Sequence, residues 1–138
     1  MLGRPDPQLT FADLQGAARV PQADLLRRLK SAIDWPPIDA QLRGLYPSAR
    51  GRPSHHPLML FRALILQHWF KLSDPGLEAQ LRDRLSWQYF CVLSLIDPIP
   101  DETTFCRFRR RLHQAGLGDS MFQQVEAQIT AVRLGLPG

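Results

Sequence analysis

The chain is poor in features that announce chemistry. It has no GxSxG elbow, no Walker loop, no HExxH and no GxGxxG. The common signatures of acyl transfer, nucleotide binding, zinc hydrolysis and dinucleotide binding are therefore missing. Its only cysteines, Cys91 and Cys106, form no CxxC and lack a histidine pair at finger spacing. They read as free thiols in a reducing compartment. His55 and His56 are adjacent in a presumed loop, and no metal is expected there. The 13 acidic residues are scattered along the chain, on presumed helix surfaces and caps. Mg²⁺-dependent phosphoryl transfer needs carboxylates converging from rigid elements, and no such convergence is legible. No cofactor, no small-molecule substrate and no catalysis by this chain alone are expected.

Long apolar runs are also missing. The most apolar stretch, 57–70, is too short for a bilayer span and is interrupted by Arg62, Gln67 and His68. The N-terminus, MLGRPDPQLTF, has no apolar core of the signal-peptide kind. The expectation is a soluble cytoplasmic protein with no membrane partner. No sustained period-two alternation and no internal repeat occur, which argues against strands and repeat arrays.

What the chain does have is arginine. Of 17 basic residues only Lys30 and Lys71 are lysines, and the formal charge is +4. A sequence pI near 9.7 leans toward an anionic partner. At 44% hydrophobic over 138 residues, one domain can bury a real core.

Taken in order, residues 1–9 read as a loose tail and 11–17 as a short helical turn. Residues 23–33 place Leu25, Leu26, Leu29 and Ile33 on one face of a helix, which Trp35-Pro36-Pro37 is expected to break. A short helix over 38–45 follows. The polar connector 48–56 contains Arg50-Gly51-Arg52-Pro53. That matches the core of an AT-hook, whose Arg-Gly-Arg lies in a narrow minor groove; a plain linker fits as well. Pro57 then opens the apolar helix to residue 70, greasy on nearly all sides and so the expected buried spine. Helices are expected over 75–85, capped by Asp74 and burying Leu77, Leu81 and Leu85, and over 87–93, capped by Ser86. A last helix starts at Asp119 or Ser120, with Phe122, Val125, Ile129 and Val132 as its stripe. The fold class is all-α, six or seven helices around a central helix at 57–70, with a tri-helical, helix-turn-helix-like unit near 75–115. The connection 93–101 is long for a tight helix-turn-helix.

The helix over 102–115 carries the functional hint. Asp101 is its expected N-cap, and Gly116 its left-handed stop, with Leu117 folding back on Leu112. Phe105, Phe108, Leu112 and Ala115 form an apolar stripe. Opposite it fall Thr103, Arg107, Arg110, Arg111 and Gln114, flanked by Arg109 and His113. Arginine forks match phosphate oxygens and guanine edges, so this is a face able to meet DNA. A solvated surface helix has the same pattern, and the spacing leaves both readings open.

Several blocks occur together and in order: Val20-Pro21 followed by Leu26-Arg27; Gly51-Arg52-Pro53 before the apolar helix 58–69; Leu72-Ser73-Asp74 followed by Leu77-Glu78; and Asp83-Arg84. Then come Pro100-Asp101-x-Thr103-Thr104-Phe105 and Arg107-Phe108-Arg109 with Leu112. In these the chain resembles the N-terminal domain of bacterial insertion-sequence DDE transposases, the InsH-type group. The resemblance implies a helical DNA-binding domain over 10–134 that contributes to binding terminal inverted repeats. A ribonuclease-H-like domain follows in the family, and its Asp-Asp-Glu carboxylates bind Mg²⁺. On that resemblance 135–138 are expected to be a truncated end, about where that domain would begin. The expectation is a nucleoid-associated transposase portion that binds double-stranded element ends without cutting them. The expected contacts are Thr103, Thr104, Arg107, Arg109, Arg110 and Arg111, with Arg50 and Arg52 as weaker candidates. Competing expectations are a truncated regulator that occupies the ends or forms homo- or mixed oligomers with full-length transposase, a protein-interaction module, or an inert remnant.

Overall fold

The computed structural model describes residues 22–47 and 55–133. The tail, the 11–17 turn, Arg50, Arg52 and 135–138 lie outside the described residues, as does the side chain of Val132. Among the described residues there are seven helices and no strand: α1 (Gln22–Ala32), α2 (Trp35–Arg43), α3 (Pro57–Phe70), α4 (Asp74–Asp83), α5 (Leu85–Cys91), α6 (Glu102–Gln114) and α7 (Gly118–Arg133). The all-α expectation holds.

Helix α3 is the spine. It packs on α2, α4, α5 and α6, and its Phe61 and His68 rings meet Phe122 of α7. Nine of its residues are buried, including Leu60, Phe61, Leu64, Ile65 and Trp69. A helix contacted from so many sides leaves only His68 exposed, which is why its sequence carries no amphipathic signal. Pro57 lies in its first turn, the His56 ring nitrogen Nδ1 accepts from the Leu58 amide at 3.1 Å, and Lys71 ends it in the left-handed region. His56 is thus employed as a cap.

Local boundaries differ from expectation in instructive ways. The helix before Trp35-Pro36-Pro37 does end, at Ala32, but α2 opens at Trp35 and not at Ile38: both prolines lie in its first turn, where a missing N–H costs nothing and the fixed φ is already helical. The cap of α4 is Ser73, whose Oγ accepts from Gly76 at 3.1 Å, and not Asp74. Helix α4 stops at Asp83, so Leu85 opens α5 and stands 66% exposed instead of joining the core. Ser86 caps nothing, because α5 has already begun. Ala115 is exposed at the C-cap of α6 and lies off its apolar stripe. Helix α7 opens earlier than expected, and Met121, outside the expected stripe, is fully buried. Leu26, Leu29, Ile33, Val125 and Ile129 are buried as expected.

Candidate nucleic-acid interface

Helix α6 is defined at both ends by its own sequence. The Asp101 carboxylate accepts from the Thr104 amide at 2.8 Å and from the Thr104 hydroxyl at 2.9 Å. Those bonds, the backbone one foremost, hold the Asp101 carboxyl below its usual range. At the other end Gly116 adopts φ +70°; its amide donates to the His113 carbonyl at 3.0 Å, and the Leu117 amide donates to the Leu112 carbonyl at 3.1 Å. This is a Schellman cap, and Leu117 packs against the core as expected. Phe105, Phe108 and Leu112 are buried, seating α6 on α3, α4 and α7. The Glu102 amide also donates to Glu78 Oε1 of α4 at 2.8 Å.

The arginines of α6 divide into two pairs. Arg109 donates through both Nη atoms to Asp74, at 2.7 and 2.8 Å, and to Gln67 Oε1 at 3.2 Å. The bridge keeps the Asp74 carboxyl below and the Arg109 guanidinium above its ordinary range, in each case chiefly through these hydrogen bonds. It lies in a cleft of about 800 Å³ between α3, α4 and α6. Arg111 donates to the Leu45 carbonyl at 2.7 Å and lies 4.7 Å over the Tyr46 ring, tying the segment after α2 to α6. Burial raises the Tyr46 hydroxyl pKa, and the Arg111 charge opposes that shift. These two arginines hold helices together. Sequence reading put them with the contact residues because their partners, Asp74 and Leu45, are far along the chain.

Arg107 and Arg110 behave differently. Both are exposed. Arg110 has only a long contact to Cys106 Sγ, at 3.9 Å. Arg107 makes no hydrogen bond to a described residue, and its charge helps to lower the Asp101 pKa. Most other surface arginines among the described residues have an acid one helical turn before them; Arg84 instead donates to the Gln80 side chain. Arg27 and Arg28 pair with Asp24, Arg43 with Asp39 at 2.8 Å, and Arg82 with Glu78 at 3.0 Å. One turn before Arg107 and Arg110 stand Thr103 and Cys106, and one turn after stand Arg111 and Gln114. Two guanidinium groups therefore share one face with exposed Thr103 and Gln114, with no acid one helical turn away on α6. Thr104 is committed to the Asp101 cap.

Among the described residues no group of three histidine, cysteine or acidic side chains is placed to hold a metal ion, and no helix is long and apolar enough to cross a membrane. A family model described as a transposase domain (DUF772) matches residues 15–111. That span runs from before α1 into the last turns of α6 and covers both sides of the Arg109–Asp74 bridge. No solved structure matches the chain.

Proposed function

The chain belongs to the transposase domain (DUF772) family, and from that premise we propose that it is the DNA-binding part of an insertion-sequence transposase. It binds duplex DNA at the element's terminal inverted repeats through the outer face of α6. Arg107 and Arg110 contact phosphates or guanine edges, with Thr103 and Gln114 beside them as shorter donors and acceptors. The observation that carries this reading is the missing acid: Arg27, Arg28, Arg43 and Arg82, on α1, α2 and α4, each have a carboxylate partner one turn away in their own helix, and these two do not. An unpaired guanidinium keeps its donors for an outside anion.

Arg109 and Arg111 act indirectly, by fixing the angle at which α6 is presented. The role assigned to these residues is binding; strand cleavage and its Mg²⁺ go, on the family resemblance, to a ribonuclease-H-like domain.

The test is fluorescence anisotropy of the purified chain with two labelled duplexes of equal length, one the terminal repeat and the other its scramble. Preferential binding of the repeat, weakened in an Arg107→Ala/Arg110→Ala double variant, is expected. No binding to either duplex at low salt, by a chain with native circular dichroism, would refute the reading.

A further inference from the structure

The surface of α5 and the turn after it differ from the rest of the molecule. Leu85, Tyr89 and Val92 follow one another at helical spacing and stand 66%, 49% and 57% exposed. Leu95 and Ile96, in the turn that the Asp97 side chain closes by accepting from the Ser94 amide at 2.8 Å, are 83% and 93% exposed. No charged residue occurs anywhere in 85–96. Lys30 is the cation nearest Tyr89, its Nζ 3.9 Å from the ring centroid. The opposite side of α5, carrying Trp87, Phe90 and Cys91, is buried against the core, so the exposed residues are left over after folding is satisfied.

Val92 adds an independent observation. It ends α5 at φ 62°, ψ 43°, with its amide bonded back to Gln88 and Tyr89 carbonyls. A β-branched residue rarely adopts that left-handed conformation, and glycine adopts it freely. The chain uses glycine for the same task at the end of α6, where Gly116 has φ +70°. At the end of α5 it keeps a strained valine, whose side chain extends the apolar surface.

We propose that this face, Leu85, Tyr89, Val92, Leu95 and Ile96, is where a second copy of the chain docks. Size supports it: the five residues expose roughly 600 Å² of mostly apolar surface, near the upper end of what a monomer carries and close to the ~800 Å² each partner gives to a standard interface. Charge selects the occupant. A molecule of net charge +4 repels its copy over most approaches, and a face whose five side chains carry no charge, with Lys30 alone beside it, lets two copies meet with less of that penalty. A two-fold contact sets the same patch against itself, so an apolar surface is complementary to its own image. A different, charged partner would find only Lys30, over the Tyr89 ring, to recognise.

The experiment is sedimentation velocity of the full chain without DNA, from about 1 to about 100 µM. The variants are Tyr89→Arg and Val92→Gly, and each is followed in parallel by urea unfolding at the lowest concentration. Wild type shows a concentration-dependent dimer. Tyr89→Arg sets two like charges against each other and weakens it at least about tenfold. Val92→Gly separates association from folding: it relieves the left-handed strain and raises the urea midpoint, while removal of the side chain weakens the dimer. A wild-type chain that is monomeric throughout overturns the proposal and leaves the face to some other partner. Dimerisation that survives both variants unchanged overturns it equally.

Discussion

Helices α3 and α6 are nearly equal in length, 14 and 13 residues, and spend their sequences in opposite ways. Nine residues of α3 are buried, against three of α6. In α3 even an arginine is taken inside: Arg62 is 8% exposed, 4.3 Å over the Trp35 ring, its Nε without a hydrogen-bond partner and its pKa lowered chiefly by burial. In α6 a three-residue stripe seats the helix and the remaining faces stay polar. The difference teaches that packing and recognition compete for side chains. A helix that holds the core together has nothing left to offer a partner. One that sits at the edge is free to offer a charged face, provided something else fixes its position. Arg109 and Arg111 supply that fixing, so a single helix uses chemically identical residues for holding and for presenting.

Truncation in α3 sharpens the contrast most. Trp69→Ala removes a side chain that is 2% exposed and touches Phe90 edge-on. We expect a loss of about 3–5 kcal/mol in urea unfolding, much of the ~5–15 kcal/mol that holds a domain of this size together. A loss below about 1 kcal/mol would break the account of α3 as the spine.

The cysteines repeat the contrast in thiol chemistry. Cys91 is fully buried, and desolvation pushes its thiol up to about 12, whereas Cys106 is half-buried on α6. At neutral pH a maleimide reagent should label Cys106 in the native protein and reach Cys91 only on unfolding, slower by at least about 10³-fold. Comparable rates in native protein would contradict the placement of α5.

The bridge that ties α6 to α4 should show a smaller effect. Asp74→Ala releases Arg109, and because that arginine is 46% exposed solvent compensates much of the lost attraction, leaving about 1 kcal/mol. The sign with pH follows from the lowered Asp74 pKa. Its contribution is fully present above the unfolded value near ~3.9 and is lost as pH falls through the lower folded value. The stability gap between wild type and variant should therefore be constant near neutrality and close in acid. A gap that widened in acid would refute the assignment.

Least affected should be the stability of Arg107→Ala/Arg110→Ala, within about 0.5 kcal/mol of wild type, since both side chains are exposed and the Arg110 contact with Cys106 Sγ is long. A larger loss in urea unfolding would mean the outer face of α6 is structural after all.

Much of this architecture is legible locally. The all-round greasiness of 57–70, the Asp101 cap and the Gly116-Leu117 stop depend on neighbours within a turn or two, and the structure places them as the sequence implies. Boundaries slip where two local signals compete: Ser73 and Asp74 both suit a cap, and Pro36-Pro37 suits a helix start as well as a break. The partition of the α6 arginines is not legible at all. Arg109 finds Asp74 across 35 positions and Arg111 finds Leu45 across 66, and periodicity within one helix carries no record of such partners. The family is legible for another reason: ordered blocks along the chain define it, and a match over 15–111 agrees.

The central claim is that two arginines of α6 present and two hold. The most direct test is the salt dependence of duplex binding for wild type, Arg107→Ala/Arg110→Ala and Arg109→Ala. Each phosphate-contacting arginine adds about 0.9 to the slope of log K against log salt, so the first variant should lose up to about 2 in slope magnitude. Arg109→Ala should keep the wild-type slope and lose only stability. Equal slopes for wild type and the double variant, or an equal loss of slope in Arg109→Ala, would contradict the division.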